Sequence, residues 1–199
     1  MKLPRIQTDG NISLEKCIKN RRSIRTFISR PLNLEHISQL LWAGQGITGD
    51  RGFKRATPSG GALYPMEIYT VIGGNGVQDL EAGIYHYEPG THTISLNSGG
   101  DPRDRVARAA LSQMWMADAP INMVITAEYR RICIKYGERG MRYAMIEAGH
   151  IGQNIFLQAE ALGLSAGIVG AFQDNILIKS MGIPKDHEPL LVMPVGYEN

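Results

Sequence analysis

The densest set of reactive side chains is Asn20-Arg21-Arg22-Ser23-Ile24-Arg25-Thr26-Phe27, with three arginines and two hydroxyls close together. A planar guanidinium fork matches phosphate oxygens, and Ser or Thr hydroxyls complete such a pocket. A solvated basic turn or a nucleic-acid contact would use the same residues. A second stretch, Pro58-Ser59-Gly60-Gly61-Ala62, leads into a strand-like segment. Two adjacent glycines bury almost nothing, so this is either a tight turn or a place where something approaches the backbone. Lys135 and Tyr136 stand side by side and could supply a cation and a phenol to one site, but without further context the pair does not single one out. Gly163-Leu164-Ser165-Ala166-Gly167-Ile168-Val169-Gly170 reads as a strand of small residues. Glycine weakens a strand unless another backbone or a flat ligand lies against it. Pro194-Val195-Gly196-Tyr197 offers backbone in the same way. An arginine cluster plus two glycine-rich stretches fits a phosphorylated, flat cofactor held without a mononucleotide fold.

Several other patterns fail on context. Gly44-Gln45-Gly46-Ile47-Thr48-Gly49 spells GxGxxG, but a helical pattern precedes it and no helix follows. The dinucleotide fingerprint needs the reverse order. Glu147-x-x-His150 is half of a di-iron helix motif without its second copy. His86 and His92 fall on the two arms of an expected hairpin and read as a surface pair. Cys17 and Cys133 are far apart and in no CxxC spacing, which argues against a disulfide framework or a zinc site. The chain has no HExxH.

Periodicity supplies the elements that must hold these residues. Ser13 is placed to cap a short helix ending at Asn20, and a second helix is expected over 33–43 with Gly44 as its stop. Residues 45–57 read as loop. Strands are expected at 67–72, 121–127, 165–171 and 189–196, with a hairpin formed by 83–87 and 93–96. Helices are expected at 102–114, 138–162 and 174–181. On the longest of these, Met141, Met145, Ala148, Gly152, Ile155, Ala159 and Leu162 form a seam at steps of four and three. The absence of strict strand–helix alternation favours α+β. At 199 residues, with 43% hydrophobic and 20% charged content and a net charge of +2, the chain reads as one globular domain, 1–199. That charge is too small to imply nucleic acid. No signal peptide or membrane span is visible, so a cytoplasmic protein is expected.

The succession RRSIRTF, PSGGALYP, KYGERGMRYAMIEAGHIGQNIFLQAEALGL, GIVGAF and LVMPVGY resembles the nitroreductase-like flavoprotein superfamily. Within it the chain resembles the SagB-type branch, dehydrogenases best known for oxidising azoline rings in peptide natural products. The resemblance covers residues 18–197 and implies an α+β fold with a mixed sheet and a long buried central helix. It also implies an intertwined homodimer with FMN at the interface. On that basis Arg21, Arg22, Ser23 and Arg25 would hold the FMN phosphate and ribityl chain. Pro58, Ser59, Gly60 and Ala62 would reach the flavin from the second subunit, and Val169 and Gly170 would lie beside its ring. Gly196 and Tyr197 stand where the branch usually carries Gly-Arg-Pro, so a Lys or Arg elsewhere must supply the arginine's phosphate contact. Lys135 and Tyr136 match the pair that azoline dehydrogenases use for proton removal.

The implied activity is ping-pong transfer of electrons from NAD(P)H, through FMN, to a nitro compound, quinone or similar small acceptor. The alternatives are an azoline-type dehydrogenase working oxidatively and a flavin-binding module without turnover. No extra N-terminal region of the kind typical of peptide-modifying members is apparent, which favours a stand-alone enzyme. Neither metal, nucleic acid nor membrane is expected as a partner.

Overall fold

The computed structural model describes residues 1–49 and 53–199, so residues 50–52 of the expected 45–57 loop lie outside the described residues. In chain order the elements are α1 (Leu14–Asn20), α2 (Leu34–Gln45), a 3-10 turn at Gly60–Ala62, β1 (Met66–Ile72), β2 (Gly83–Glu88) and β3 (Thr93–Gly99). There follow α3 (Arg103–Ala109), α4 (Trp115–Asp118), β4 (Ile121–Ala127), α5 (Tyr129–Tyr136) and α6 (Arg139–Ala161). The chain ends with β5 (Ser165–Ala166), α7 (Asp174–Met181) and β6 (Glu188–Gly196).

Local chemistry fixes the helix starts. The Ser13 hydroxyl accepts from the Lys16 amide at 3.3 Å, and Asn33 and His36 satisfy each other's backbone amides in a capping box at the head of α2. The strands form one six-stranded sheet in the order β3-β2-β1-β4-β6-β5. Alternation along β1 sends Met66, Ile68 and Ile72 to one face, where they meet Ile37, Leu40 and Leu41 of α2 and Ala144, Ile151 and Ile155 of α6. Tyr69 and Val71 point the other way, into a second core with Val106 of α3 and Leu177 and Met181 of α7. β4 is buried along its whole length because helices cover both faces there.

The α+β class matches the sequence reading, with four differences of detail. The sheet is not mixed: every strand pair is antiparallel, and parallel pairing is confined to isolated bridges such as Ser23 with Ala166. The helix expected over 102–114 breaks after Ala109, where Leu111 and Ser112 turn left-handed. There the Gln113 side-chain amide donates to the Ala110 carbonyl, 3.0 Å away, which a continued helix would have used. The strand expected over 165–171 shrinks to Ser165–Ala166 plus one bridge from Val169 to Val192. Gly44 does not stop α2 but sits inside it, where an added Cβ would come within 2.8 Å of Ile68 Cδ1 and 3.4 Å of Ile151 Cγ2.

α6 also sorts its residues differently from the expected seam. Ala148, Gly152, Ile155 and Ala159 face the core with Ala144, Ile151 and Phe156. Met141 and Met145 are exposed beside Ile146, with Gly149 next along that outer stripe. The straight 3.6-residue period carries a 3.5-residue seam from one face to another. What results is a buried inner face and a separate, solvent-exposed apolar one.

Candidate active site

α5, which the sequence did not reveal, delivers Lys135 and Tyr136 to the Pro58–Ala62 loop of the same chain. A Cβ added at Gly61 would stand 2.7 Å from the Tyr136 hydroxyl and 3.0 Å from Lys135 Nζ. Gly61 has φ +64°, and its neighbours Ala62 and Tyr64 are also left-handed, at φ 54° and 47°. Each such non-glycine residue stores about 1–3 kcal/mol, a cost that concentrates at functional sites. The Ser59 hydroxyl holds the turn by accepting from the Tyr64 amide at 3.0 Å. Tyr143 of α6 packs edge-on against Tyr136, with ring centres 5.1 Å apart. Arg131 ties α5 down: its guanidinium pairs with Glu67 and Glu128 and donates to the Tyr64 carbonyl at 3.3 Å. Burial pulls the Glu67 carboxyl up, but its hydrogen bond from His86 and the Arg131 charge outweigh that and hold it below the usual range.

Behind the loop lies a residue that sequence reasoning passed over as half a metal motif. Glu147 is 2% exposed and its Oε1 accepts from Gln45 Nε2 at 3.3 Å. Gln45 in turn accepts from Arg55 at 2.8 Å, and the Arg55 guanidinium lies 4.3 Å over the Tyr64 ring. Burial pushes the Glu147 carboxyl up to about 7 against the weaker pull of Ser59, Gln45 and Arg55. The signal was present in the sequence, because Glu147 shares a helical face with Ala144 and Ile151. His150 is exposed on another face, and no group of three or more His, Cys, Asp or Glu among the described residues could hold a metal.

The arginine cluster lies elsewhere. Residues 23–28 run beside β5 and the end of β6: the Ile24 amide donates to the Ala166 carbonyl at 2.9 Å, and the Ile28 amide to the Tyr197 carbonyl at 3.0 Å. Arg21 lies over the Phe156 ring at 5.0 Å and Arg25 over Trp115 at 5.9 Å. Among the described residues no carboxylate comes within ion-pair distance of Arg21, Arg22 or Arg25. Arg22 has a structural task, since its Nη1 donates to the carbonyls of Lys19, Asn20 and Arg21 at the end of α1. Gly167 is small because the Ile24 carbonyl would lie 2.6 Å from an added Cβ, so the close neighbour here is backbone. Val169 is buried, whereas Gly170 faces open space.

Gly196 and Tyr197 have packing explanations. A Cβ at Gly196 would lie 2.5 Å from Pro120 Cδ, and the Tyr197 ring sits under Arg30 at 4.0 Å. The Gly196→Ala chain is therefore expected to lose about 1–3 kcal/mol of stability before any ligand is added. A thermal melt of the apoprotein checks this, since an unchanged midpoint would mean the strand moves freely off Pro120. His86 and His92 are not a surface pair. His86 bonds Glu67 at 2.6 Å, whereas His92 bridges Ser38 and Tyr87 at 2.8 and 2.9 Å.

Two groups of candidates thus emerge on one chain. Gly60 packs on Tyr143 and Arg21 on Phe156, thirteen residues farther along α6, which is about 20 Å at 1.5 Å per residue.

The nitroreductase family profile matches residues 18–197. The chain belongs to the nitroreductase family. The nitroreductase-family protein MJ1384 of Methanocaldococcus jannaschii is 43% identical over 98% of this chain and 95% of its own length. The microcin B17-processing protein McbC of Escherichia coli is 26% identical over 98% of this chain and 72% of its own. A nitroreductase-family crystal structure from Ralstonia eutropha superposes with a TM-score of 0.85 at 26% identity, covering 100% of this chain and 89% of the other. The nitroreductase fold expected from sequence is thereby established, and the protein is an oxidoreductase of this family. Nitroreductase-family proteins generally bind flavin. The guanidiniums of Arg21 and Arg25, which pair with no carboxylate among the described residues, have the chemistry to hold the phosphate of FMN, and Gly170 faces open space. No helix among the described residues is long and apolar enough to cross a membrane.

Proposed function

We propose that this nitroreductase-family chain is an FMN-dependent oxidoreductase whose site is built from two copies of the chain. The observation that carries this reading is the separation of about 20 Å along α6 between the arginine cluster and the Pro58–Ala62 loop. A flat cofactor cannot touch both on one rigid helix, but a second copy related by two-fold symmetry can bring its loop to the first copy's arginines. The exposed apolar stripe of Met141, Met145 and Ile146 supports packing at that interface.

FMN, when bound, would accept an electron pair from NAD(P)H and hand it to a nitro, quinone or similar acceptor. The residues of the chain do the rest. Arg21, Ser23 and Arg25 bind the phosphate and ribityl chain, Val169 and Gly170 flank the ring, and the partner's Pro58–Ala62 backbone closes over it. Backbone N–H groups at the loop offer donors to a ring that becomes more negative on reduction. An absorbance spectrum of the purified protein, taken before and after anaerobic NADH, tests this. Flavin bands that bleach are expected. A colourless protein that binds no added FMN would remove the reading altogether.

One observation favours a second reading. Lys135 and Tyr136 crowd Gly61 at the loop, and the relative McbC carries the name of a peptide-processing protein. In an azoline-type dehydrogenation, Lys135 Nζ or the Tyr136 oxygen would take a proton from substrate carbon while the hydride leaves to the cofactor, with dioxygen as the final acceptor. Lys135→Ala is expected to abolish such an oxidation while leaving NADH-driven acceptor reduction within about twofold. Turnover assays of both reactions on one variant separate the two readings. Equal losses would mean that Lys135 only supports the loop.

A further inference from the structure

Glu147 has no part in the proposed electron transfer, yet it sits directly behind the loop that would close over the cofactor. Its Oε2 is buried and finds no hydrogen-bond partner among the described residues. The Ser59 hydroxyl faces the same carboxyl, short of a full hydrogen bond, and accepts from the Tyr64 amide on its other side. We infer that Glu147 is a positioning residue whose proton decides which way the Ser59 hydroxyl donates. The inference rests on the proposal that Ser59 meets FMN.

Donor and acceptor capacity sets the direction. A serine oxygen accepts twice and donates once. When Glu147 is a neutral acid, its Oε2–H can donate to Ser59 Oγ. With the Tyr64 amide already bound there, both acceptor positions are filled. The Ser59 O–H then has no inward acceptor and turns outward, toward whatever lies over the loop. When Glu147 is ionised it has no proton to give and is itself the strongest acceptor nearby. The Ser59 O–H turns inward to it, and the outward donor is lost. A buried carboxylate with an unfilled oxygen makes that reversal favourable.

Charges on every neighbouring element bear on this proton. Arg55, on the segment before the loop, faces Glu147 through Gln45 of α2 and favours the ionised form. Glu67 of β1, Glu88 of β2 and the Tyr64 phenol face Arg55 and compete for its charge. On α6 itself, Tyr143 packs beside Gly60, and from α5 come Tyr136 and Lys135 at Gly61. Burial outweighs these contributions and leaves the carboxyl titrating at about 7.

The test titrates apoprotein with FMN, following flavin fluorescence, from about pH 5.5 to about pH 8.5 so as to bracket that value. Wild type is compared with Glu147→Gln, whose amide always donates to Ser59, and with Ser59→Ala, which has no hydroxyl to direct. Using the ratio to Glu147→Gln cancels titration of the FMN phosphate itself. Wild type should match Glu147→Gln at the acid end and bind about five- to tenfold more weakly at the alkaline end, the worth of one hydrogen bond. Ser59→Ala should be weaker throughout, with a constant ratio to Glu147→Gln. A wild-type ratio that stays flat across the range overturns the inference while leaving the FMN site standing. Failure of all three proteins to bind FMN overturns the site itself. Infrared spectra of the apoprotein give an independent reading. The protonated-carboxyl band of Glu147, absent from Glu147→Gln, should shift in Ser59→Ala, and an unshifted band counts against the contact.

Discussion

A chain carrying Arg21→Ala together with Arg25→Ala is expected to bind FMN at least about a hundredfold more weakly, since each charge-assisted hydrogen bond lost costs about 1.5–3 kcal/mol. Among the described residues neither guanidinium is paired with a carboxylate, and each lies over an aromatic ring, so their removal should disturb the apoprotein little. A Gly61→Val chain should fail for a different reason. Its φ of +64° is hostile to a β-branched residue, and the new side chain would collide with the Tyr136 hydroxyl. Co-refolding equal amounts of the two defective chains is the decisive form of the experiment. In the proposed two-copy site, a mixed dimer pairs an intact arginine cluster with an intact loop in one of its two sites. Binding should therefore return to about one quarter of all sites, because half of the dimers are mixed. A fluorescence titration reads this directly. No recovery would mean that each site is made within one chain.

Glu147→Gln is expected to stabilise the apoprotein at neutral and alkaline pH by up to about 3 kcal/mol, since each tenfold change in proton affinity is worth about 1.4 kcal/mol. Burial raises the folded-state pKa to about 7 from an ordinary value of 4.5. Below the lower value both states carry the proton and the carboxyl adds no pH dependence. Between the two values the unfolded chain releases the proton that the folded chain retains, so stability falls as pH rises. Above about 7 the full loss has been incurred. Glutamine keeps the shape and the bond with Gln45 but has nothing to ionise, so its profile should lack this fall. Urea unfolding at a fixed chain concentration compares the two slopes, and parallel profiles would show that the carboxyl ionises at no cost. A more stable variant with a fixed Ser59 donor would also separate the two roles of the residue.

Much of the architecture could be read from the sequence. β1, β4 and β6 are long, apolar and flanked by turn residues, and α6 runs for more than six turns, so neither depended on distant contacts to be seen. α5 escaped because YRRICIKY is short and rich in residues that suit strands equally well; its helix is held by Arg131 and by packing on α6. Of the glycines at 163–170 only Gly167 marks a close approach, and pattern alone does not distinguish a ligand from the Ile24 carbonyl that lies there. Lys135, Tyr136 and Gly61 were each singled out, while their meeting depends on a tertiary contact separated by more than seventy residues. Glu147 was misjudged because its spacing to His150 drew attention away from the face it occupies.

α6 is one continuous helix of 23 residues. It keeps the Arg21 contact at Phe156 about 20 Å along its axis from the loop contact at Tyr143. Under the proposed assembly the cofactor is bound by the pair and by neither member alone. Anything that binds only the pair also pulls solitary chains into pairs, by mass action. FMN would then act as a reagent for assembly, and scarcity of the vitamin-derived nucleotide would be felt first as dissociation. A cell could silence the enzyme by letting its concentration fall, with no inhibitor required.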